Sequence, residues 1–116
     1  MQAQSPAIQK LMVGARKLIF DIYPETVEVP WVTQKTIGFG IGPKKMSEHF
    51  CWIGCYKNHI VLGFNYGSLL TDSGKILEGT GKLFRHYKIK EANQLKNASL
   101  KDLISEAVEM VIEKNR

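Results

Sequence analysis

Cysteine and long apolar segments are scarce in this sequence. Only two cysteines occur in 116 residues, the first residues contain no apolar signal-peptide core, and no apolar run approaches the roughly 18 residues of a membrane-spanning helix. A disulfide-stapled secreted domain and a membrane partner are therefore not expected. We expect a soluble cytoplasmic protein, and the length fits a single domain over residues 1–116 that buries its own core.

Acidic residues are also fewer than basic ones. Eleven Asp and Glu stand against sixteen Lys and Arg, which gives a formal net charge of +5. This balance favours anionic partners in general. The basic residues are scattered, so we expect no nucleic-acid partner. Strongly salt-dependent binding to arbitrary duplexes would be the sign of one.

The two ends of the chain have helical periodicity. Ser5 and Pro6 supply an N-cap and a first-turn proline, and Pro24 ends this segment. Near the other end, Ser99 and Asp102 have the S-x-x-D form of a capping box. Each helix should pack its apolar stripe on a flat apolar surface. The stripes are Ile8, Leu11, Met12, Ala15, Leu18, Ile19 and Ile22, and Leu100, Leu103, Ile104, Ala107, Val108, Val111 and Ile112.

Between the helices the apolar residues alternate with a period of two, which indicates strands. Pro30 places the first of these strands at a sheet edge. The order of elements predicts an α+β fold in two layers, an antiparallel β-sheet meander flanked by N-terminal and C-terminal helices. The predicted strands are residues 26–31, 37–42, 50–56, 59–64 and 83–90.

A tight reversal at Lys57 and Asn58 sets the register of the central hairpin. If these two residues form the loop, with Asn58 in the left-handed conformation, Tyr56 pairs with His59. Both cysteines then lie on the core face as small hydrophobic residues with raised thiol pKa values. Four residues of strand separate their Cα atoms by roughly 13 Å, whereas a disulfide needs less than about 7 Å. We therefore expect structural cysteines, and no zinc site has this spacing.

The other face of the hairpin combines glycines with aromatic residues. Several glycines on one face indicate that something approaches the backbone closely. One interpretation is that Trp52 covers the cross-strand Gly63, or that a loop rests on the sheet. The other is that the glycines form the bottom of a shallow pocket with His59 at its rim. The neighbouring strand adds Gly38 and Gly40. The residues of this face are Phe50, Trp52, Gly54, Tyr56, His59, Val61, Gly63 and Asn65.

The connection over residues 65–82 is long and rich in glycine. Its last part, Gly79-Thr80-Gly81-Lys82, is a fragment of the phosphate-loop pattern. The full G-x-x-x-x-G-K-[ST] frame and the helix that should follow it are missing from the sequence. We therefore expect no nucleotide hydrolysis.

Arg85 has an unusual position in the last predicted strand. If the alternate residues of this strand face the core, Arg85 does so too, and its guanidinium needs a carboxylate or an anionic ligand. An ion pair with Asp21, Glu28 or Glu78 is one interpretation. The other is an anion site, formed beside the glycine turns by Lys82, Arg85 and His86.

Four acidic residues form a ridge on the C-terminal helix, opposite its apolar stripe. Like charges at these spacings repel each other. Nearby lysines or solvent can balance them, or they can supply oxygen ligands to a hard cation such as iron or calcium. The acidic ridge consists of Asp102, Glu106, Glu109 and Glu113.

Several short motifs together resemble one known family. They are Pro24-Glu25, Val27-Glu28-Val29-Pro30-Trp31, Tyr56-Lys57-Asn58-His59-Ile60, and most distinctively Leu77-Glu78-Gly79-Thr80-Gly81-Lys82 with Arg85-His86-Tyr87-Lys88-Ile89. From about Ile8 to Val108 the chain thus resembles the YdhG-like family of small bacterial domains. The resemblance implies one sheet with helices on a face. Because the family is described in part as frataxin-like, it also implies an iron-chaperone role, which has been proposed for some members.

Two functional hypotheses result. The first is a non-enzymatic binding domain without a cofactor, which holds an anionic small ligand or a protein partner. The second is an iron-binding chaperone that uses the acidic ridge. No catalytic residue is predicted, because no nucleophile, base and orienting group can be placed on one face. The residues expected to bind the ligand in the first hypothesis are Trp52, His59, Lys82, Arg85 and His86.

Overall fold

A computed structural model describes residues 5–31, 36–42, 48–72 and 75–115. Within these residues the chain forms helix α1 (Pro6–Ile22), one five-stranded antiparallel sheet and helix α2 (Ala98–Lys114). The strands lie in sequential order, so the predicted α+β meander is confirmed, with the first strand at an edge. The strands are β1 (Val27–Trp31), β2 (Thr36–Gly40), β3 (His49–Cys55), β4 (Ile60–Phe64) and β5 (Arg85–Ile89).

Helix α1 begins and ends where the sequence predicts. The Ser5 hydroxyl accepts a hydrogen bond from the Ile8 N–H at 3.3 Å, which satisfies one of the free donors of the first turn. At the other end the Tyr23 N–H donates to the Ile19 carbonyl at 2.9 Å, immediately before Pro24. No helix within the described ranges is long and apolar enough to cross a membrane.

Helix α2 has a different N-cap from the predicted one. Its cap is Asn97, whose side-chain oxygen accepts from the Ser99 N–H at 2.8 Å. The predicted capping box of Ser99 and Asp102 is therefore wrong. A 3₁₀ turn over Ala92–Lys96 ends directly at Asn97. Asparagine caps a helix as well as serine does, so the helix begins before Ser99 is reached.

Both helices pack on the same face of the sheet. The predicted stripes supply their buried residues, Ile8, Leu11, Ala15 and Ile19 from α1 and Leu100, Leu103, Ile104, Ala107, Val108 and Val111 from α2. The strands contribute side chains that alternate toward the helices, Phe39, Cys51, Ile53, Ile60, Leu62, Phe64 and Ile89. This side of the sheet is called the helix face below.

The β3–β4 hairpin has the predicted register. Cys55 pairs with Ile60, and Trp52 pairs with Gly63. The Tyr56 N–H donates to the His59 carbonyl at 2.9 Å, which closes the reversal. The expected left-handed conformation of Asn58 is not observed, since the positive φ angles of described non-glycine residues are at Asp72 and Lys75.

A β-bulge in β3 changes the position of Phe50. Phe39 pairs with Cys51 and Gly40 pairs with His49, so Phe50 is an extra residue in the ladder. Its ring is 1% exposed and lies edge-on to Tyr23, with 6.2 Å between centroids. The prediction that Phe50 lies opposite the core is wrong, because the bulge interrupts the alternation on which that prediction depended.

Candidate functional site

No helix or strand of the described residues packs on the side of the sheet away from α1 and α2. We call this side the open face. The register places Trp52, Gly63 and His86 in one row across β3, β4 and β5, and Gly54, Val61 and Lys88 in the next. Tyr56 and His59 follow at the hairpin end. The open face is thus defined by Trp52, Gly54, Tyr56, His59, Val61, Gly63, His86 and Lys88.

Trp52 lies across a group of glycines at the centre of this face. A Cβ atom built on Gly63 would overlap with the Cε2 and Cζ2 atoms of the indole, and one built on Gly54 would lie 3.3 Å from Cζ3. Gly38 is the partner of Trp52 on the other side, in β2. The indole therefore lies flat on the backbone and covers Gly63, so that this interpretation of the glycines is confirmed.

The orientation of the Trp52 ring leaves one surface pointing away from the sheet. Its Nε1 atom is buried against Gly63 and has no hydrogen-bond partner among the described residues. The side chain as a whole is partly exposed. Val61 in the next row is only 6% exposed. The open face therefore presents a flat ring and polar groups rather than an aliphatic patch.

The hairpin end of the open face carries a second aromatic group. The rings of Tyr56 and His59 are stacked, with centroids 4.9 Å apart and planes 8° from parallel. Tyr56 is 51% exposed. His59 lies four residues along β4 from Gly63, about 13 Å from the row of Trp52. His59 and Trp52 thus share a face without touching.

His86 stands beside the glycine that Trp52 covers. Two strand spacings, about 10 Å, separate its Cα atom from that of Trp52, and Gly63 lies between them. Its Nε2 atom is 3.8 Å from Oε1 of Glu78, an ion pair when the imidazole is protonated. Its backbone also exchanges two hydrogen bonds with Glu78, of 2.8 and 2.9 Å.

Arg85 lies on the helix face, as predicted, but its partners differ from the predicted ones. Its Nη1 donates to the carbonyls of Gly81 and Phe84 at 2.6 and 2.7 Å. The interpretation of an ion pair with Asp21, Glu28 or Glu78 is wrong, because these acids pair with Lys17, Arg16 and His86. Both hydrogen bonds from Nη1 go to backbone carbonyls of its own turn, so Arg85 ties residues 81–84 together.

Lys82 belongs to the turn that Arg85 holds. Its carbonyl accepts a 2.6 Å hydrogen bond from the Ser68 hydroxyl, which ties the turn to the preceding 3₁₀ turn, Gly67–Leu69. Lys82 itself is exposed. Because Arg85 and His86 alternate along β5, they lie on opposite faces of the sheet. The structure therefore brings His86, Trp52 and His59 to one face and leaves Arg85 on the other.

Both thiols are free and lie on the helix face, as predicted. Burial raises the pKa of Cys51 well above its usual range, and the partial burial of Cys55 raises its pKa too. Desolvation disfavours the thiolate in both cases. His59 lies on the opposite face, so it is not placed to take a proton from either thiol.

The acidic ridge of α2 is partly engaged by the protein itself. Both carboxylate oxygens of Glu106 accept from the Thr71 N–H at 3.1 Å, and Oε2 accepts from the Thr71 hydroxyl at 2.9 Å. Asp102, Glu109 and Glu113 are exposed. In the described part of the chain, no group of three or more His, Cys, Asp or Glu side chains is arranged to hold a metal ion. The iron hypothesis therefore depends on the sequence pattern alone.

Two residues of the open face were missing from the sequence-based site. Tyr56 was assigned to this face but not to the site, although its pairing with His59 already implied ring contact. Lys88 has Val61 as its register partner, which places it in the second row of the open face. The sequence signal for Lys88 was the alternation of β5.

Fold and surface together define a class, a small α+β domain with both helices on one side of its sheet and an aromatic, basic surface on the other. A scan against family models found no match, and searches of curated proteins and of solved structures found no similar protein.

Proposed function

We propose that this chain is a non-enzymatic binding domain whose open face holds a small anionic ligand with a planar part. The observation that carries the proposal is the position of Trp52. Its indole lies on glycine backbone with its other surface directed outward, in the same row as His86. A planar group can stack on that surface without any rearrangement of the sheet.

Basic groups around the indole suit an anion. Lys88 lies in the adjacent row, and His86 and His59 add imidazoles on the same face. The formal net charge of +5 favours approach of an anion from solution. In this proposal Trp52 stacks on the ligand, His86 and His59 contact it, and Lys82 adds charge from the adjoining turn. Arg85 acts as a positioning residue through its hydrogen bonds to Gly81 and Phe84.

The thiols support a binding role over a catalytic one. A nucleophilic cysteine needs a lowered pKa and access to a substrate. Cys51 is fully buried, and the pKa values of both thiols are raised. Membership of the YdhG-like family and a cytoplasmic location stay proposals, supported by the Glu78-Gly79-Thr80-Gly81-Lys82 segment and by the low cysteine content.

Tryptophan fluorescence tests the proposal. The chain has two tryptophans, so a Trp31→Phe variant keeps Trp52 as its only indole. Titration of this variant with a panel of aromatic carboxylates and phosphates should give saturable quenching by at least one compound. The matched Trp52→Phe variant keeps a ring over Gly63 and should lose that response.

Two outcomes would contradict the proposal. One is the absence of a saturable change with every anion of the panel, and the other is an equal response in Trp52→Phe. A protein partner on the same face is the competing occupant. It would be indicated by tight association with a second macromolecule that Trp52→Phe weakens while the anion panel has no effect.

A further inference from the structure

A basic groove lies along the free edge of β5. It has a volume of about 470 Å³ and is lined by Lys75, Ile76, Glu78, Tyr87, Lys88, Lys90 and Gln94. We call it the edge groove. Tyr87 and Lys88 come from opposite faces of β5, so the groove wraps around the edge of the sheet, and of its lining residues only Lys88 also belongs to the open face.

The edge groove exists because a sixth strand is begun and then interrupted. Glu78 forms one antiparallel bridge with His86, and a continued ladder would pair Ile76 with Lys88. Instead, the Asp72 carboxylate accepts from the N–H groups of Ile76 and Leu77 at 3.0 and 3.2 Å. This side chain holds the segment away from β5.

Gln94 fixes the other side of the opening. Its Nε2 donates to the Lys88 carbonyl at 3.0 Å and to the Tyr87 hydroxyl at 3.3 Å, and its Oε1 accepts from the Lys90 N–H at 2.7 Å. Tyr87 Oη thus accepts a hydrogen bond from Gln94, and the hydrogen of its hydroxyl group remains available for donation to a ligand. The Lys88 N–H points outward like that of His86, and no hydrogen bond joins it to the 75–78 segment.

The charges of the edge groove are unbalanced. Three ammonium groups and one carboxylate line it, a net charge of two positive. The carboxylate is that of Glu78, whose Oε1 lies 3.8 Å from Nε2 of His86. Among the described residues, none of the three lysines forms an ion pair with a carboxylate. Mutual repulsion of the lysines would be relieved by an anion of similar charge.

We propose that the edge groove binds a phosphate group, either as inorganic phosphate or as a phosphate monoester, through Lys75, Lys88 and Lys90. A phosphate monoester carries about two negative charges at neutral pH and offers three strong acceptor oxygens. That charge balances the net charge of the groove. The oxygens can accept hydrogen bonds from the groove's donors, which are the three lysines, the Tyr87 hydroxyl and the Lys88 N–H. A monovalent carboxylate would balance only part of this charge and accept from fewer of these donors. The inference does not depend on stacking at Trp52.

Amide NMR titrations with inorganic phosphate, phenyl phosphate and acetate test the proposal. Phosphate and phenyl phosphate should give saturable shifts of the Lys88 and Lys90 amides, and acetate should bind about tenfold more weakly. Tighter binding of phenyl phosphate would identify the monoester as the preferred source of the group, and tighter binding of phosphate would identify the free ion. The Trp52→Phe variant should bind inorganic phosphate as wild type does. Loss of that binding in Trp52→Phe would overturn the groove assignment.

Two double variants separate a site from a general charge effect. Lys88→Gln with Lys90→Gln should raise the dissociation constant for phosphate by about tenfold or more. Lys10→Gln with Lys101→Gln removes the same charge from exposed positions of the helices and should change it by less than about twofold. Equal weakening in both variants, shifts centred outside the groove, or no saturable binding would each overturn the proposal. Quenching of Trp52 by other anions would in those cases leave the proposed function intact.

Discussion

The two faces of this sheet are formed by the same strands but are packed differently. On the helix face, Ile53 pairs with Leu62, and their side chains are 1% and 0% exposed. One residue away, Trp52 pairs with Gly63, and a single indole covers the glycine. The first face is a packed core with side chains at each position. The second depends on one large residue laid over positions that lack side chains.

This difference places the packed core and the proposed binding surface on opposite faces of the same strands, of seven and five residues. Closely packed interiors tolerate little change, because each removed atom leaves a void. A glycine-rich face contributes little packing of its own, so the orientation of Trp52 can serve binding. Variants on the two faces should therefore differ in how strongly they destabilise the fold.

Truncation on the helix face should be the most damaging change. Phe64 is fully buried between the sheet and the helices. Phe64→Ala should lower the free energy of unfolding by about 3–5 kcal/mol, because it removes apolar contacts and leaves a cavity. Urea denaturation at neutral pH measures this. A loss below about 1 kcal/mol, typical of surface changes, would contradict the assignment of the core face.

Addition of one methyl group on the open face should have the next largest effect. In Gly63→Ala the new Cβ would overlap with the Trp52 ring. The indole must then move, at a cost of about 1–3 kcal/mol in the free energy of unfolding. Gly81→Ala is the matched control, because a Cβ there meets nothing within 4 Å, and it should change stability by less than about 0.5 kcal/mol.

A double variant shows whether the Gly63 penalty acts through Trp52. In a Trp52→Ala background, Gly63→Ala should cost much less than it does in wild type, since the overlapping ring is gone. The coupling is read from four urea curves. Additive costs would place the indole elsewhere and remove the structural basis of the proposed stacking surface.

The buried thiol should make stability fall at alkaline pH. The pKa of Cys51 is raised in the folded state, so the unfolded chain releases its proton first as the pH rises above the ordinary thiol value of about 8.5. The free energy of unfolding then decreases with pH, by at most about 1.4 kcal/mol per pH unit for one group. Urea curves from pH 7 to pH 10 should show a shallower decrease in Cys51→Ala. An identical decrease in both proteins would contradict burial of this thiol.

The smallest expected effect is on the exposed ring of the hairpin. Tyr56 is stacked on His59 and 51% exposed, so Tyr56→Ala should lower the free energy of unfolding by less than about 1 kcal/mol. The measurement is the same urea titration as for Phe64→Ala. A cost as large as that of the core variant would mean that something covers the open face.

Sequence alternation was sufficient to predict the hairpin register, because a strand with one apolar face tolerates no one-residue slip. This alternation places Cys51 and Cys55 in the core and Trp52 on the other side. The limits of helix α1 followed from Ser5, Pro6 and Pro24 for a similarly local reason. Local patterns were not sufficient everywhere, because the N-cap of α2 is Asn97 and Asn58 is not left-handed.

Features that depend on one particular three-dimensional arrangement were not predictable in this way. The bulge at Phe50 arises from pairing with Phe39 and Gly40 of another strand. The partners of Arg85 are carbonyls presented by one particular turn conformation. The edge groove requires the side chains of Asp72 and Gln94 to bond to backbone groups four to six residues away. Composition and periodicity carry no information about such contacts.

An amide NMR titration of the Trp31→Phe variant shows whether the outward surface of Trp52 holds the ligand. With the aromatic anion that quenches the fluorescence of this variant, saturable shifts should be concentrated at Trp52, Gly63 and His86. Shifts concentrated in α1 and α2, or an unchanged spectrum at concentrations that saturate the quenching, would contradict this placement of the ligand.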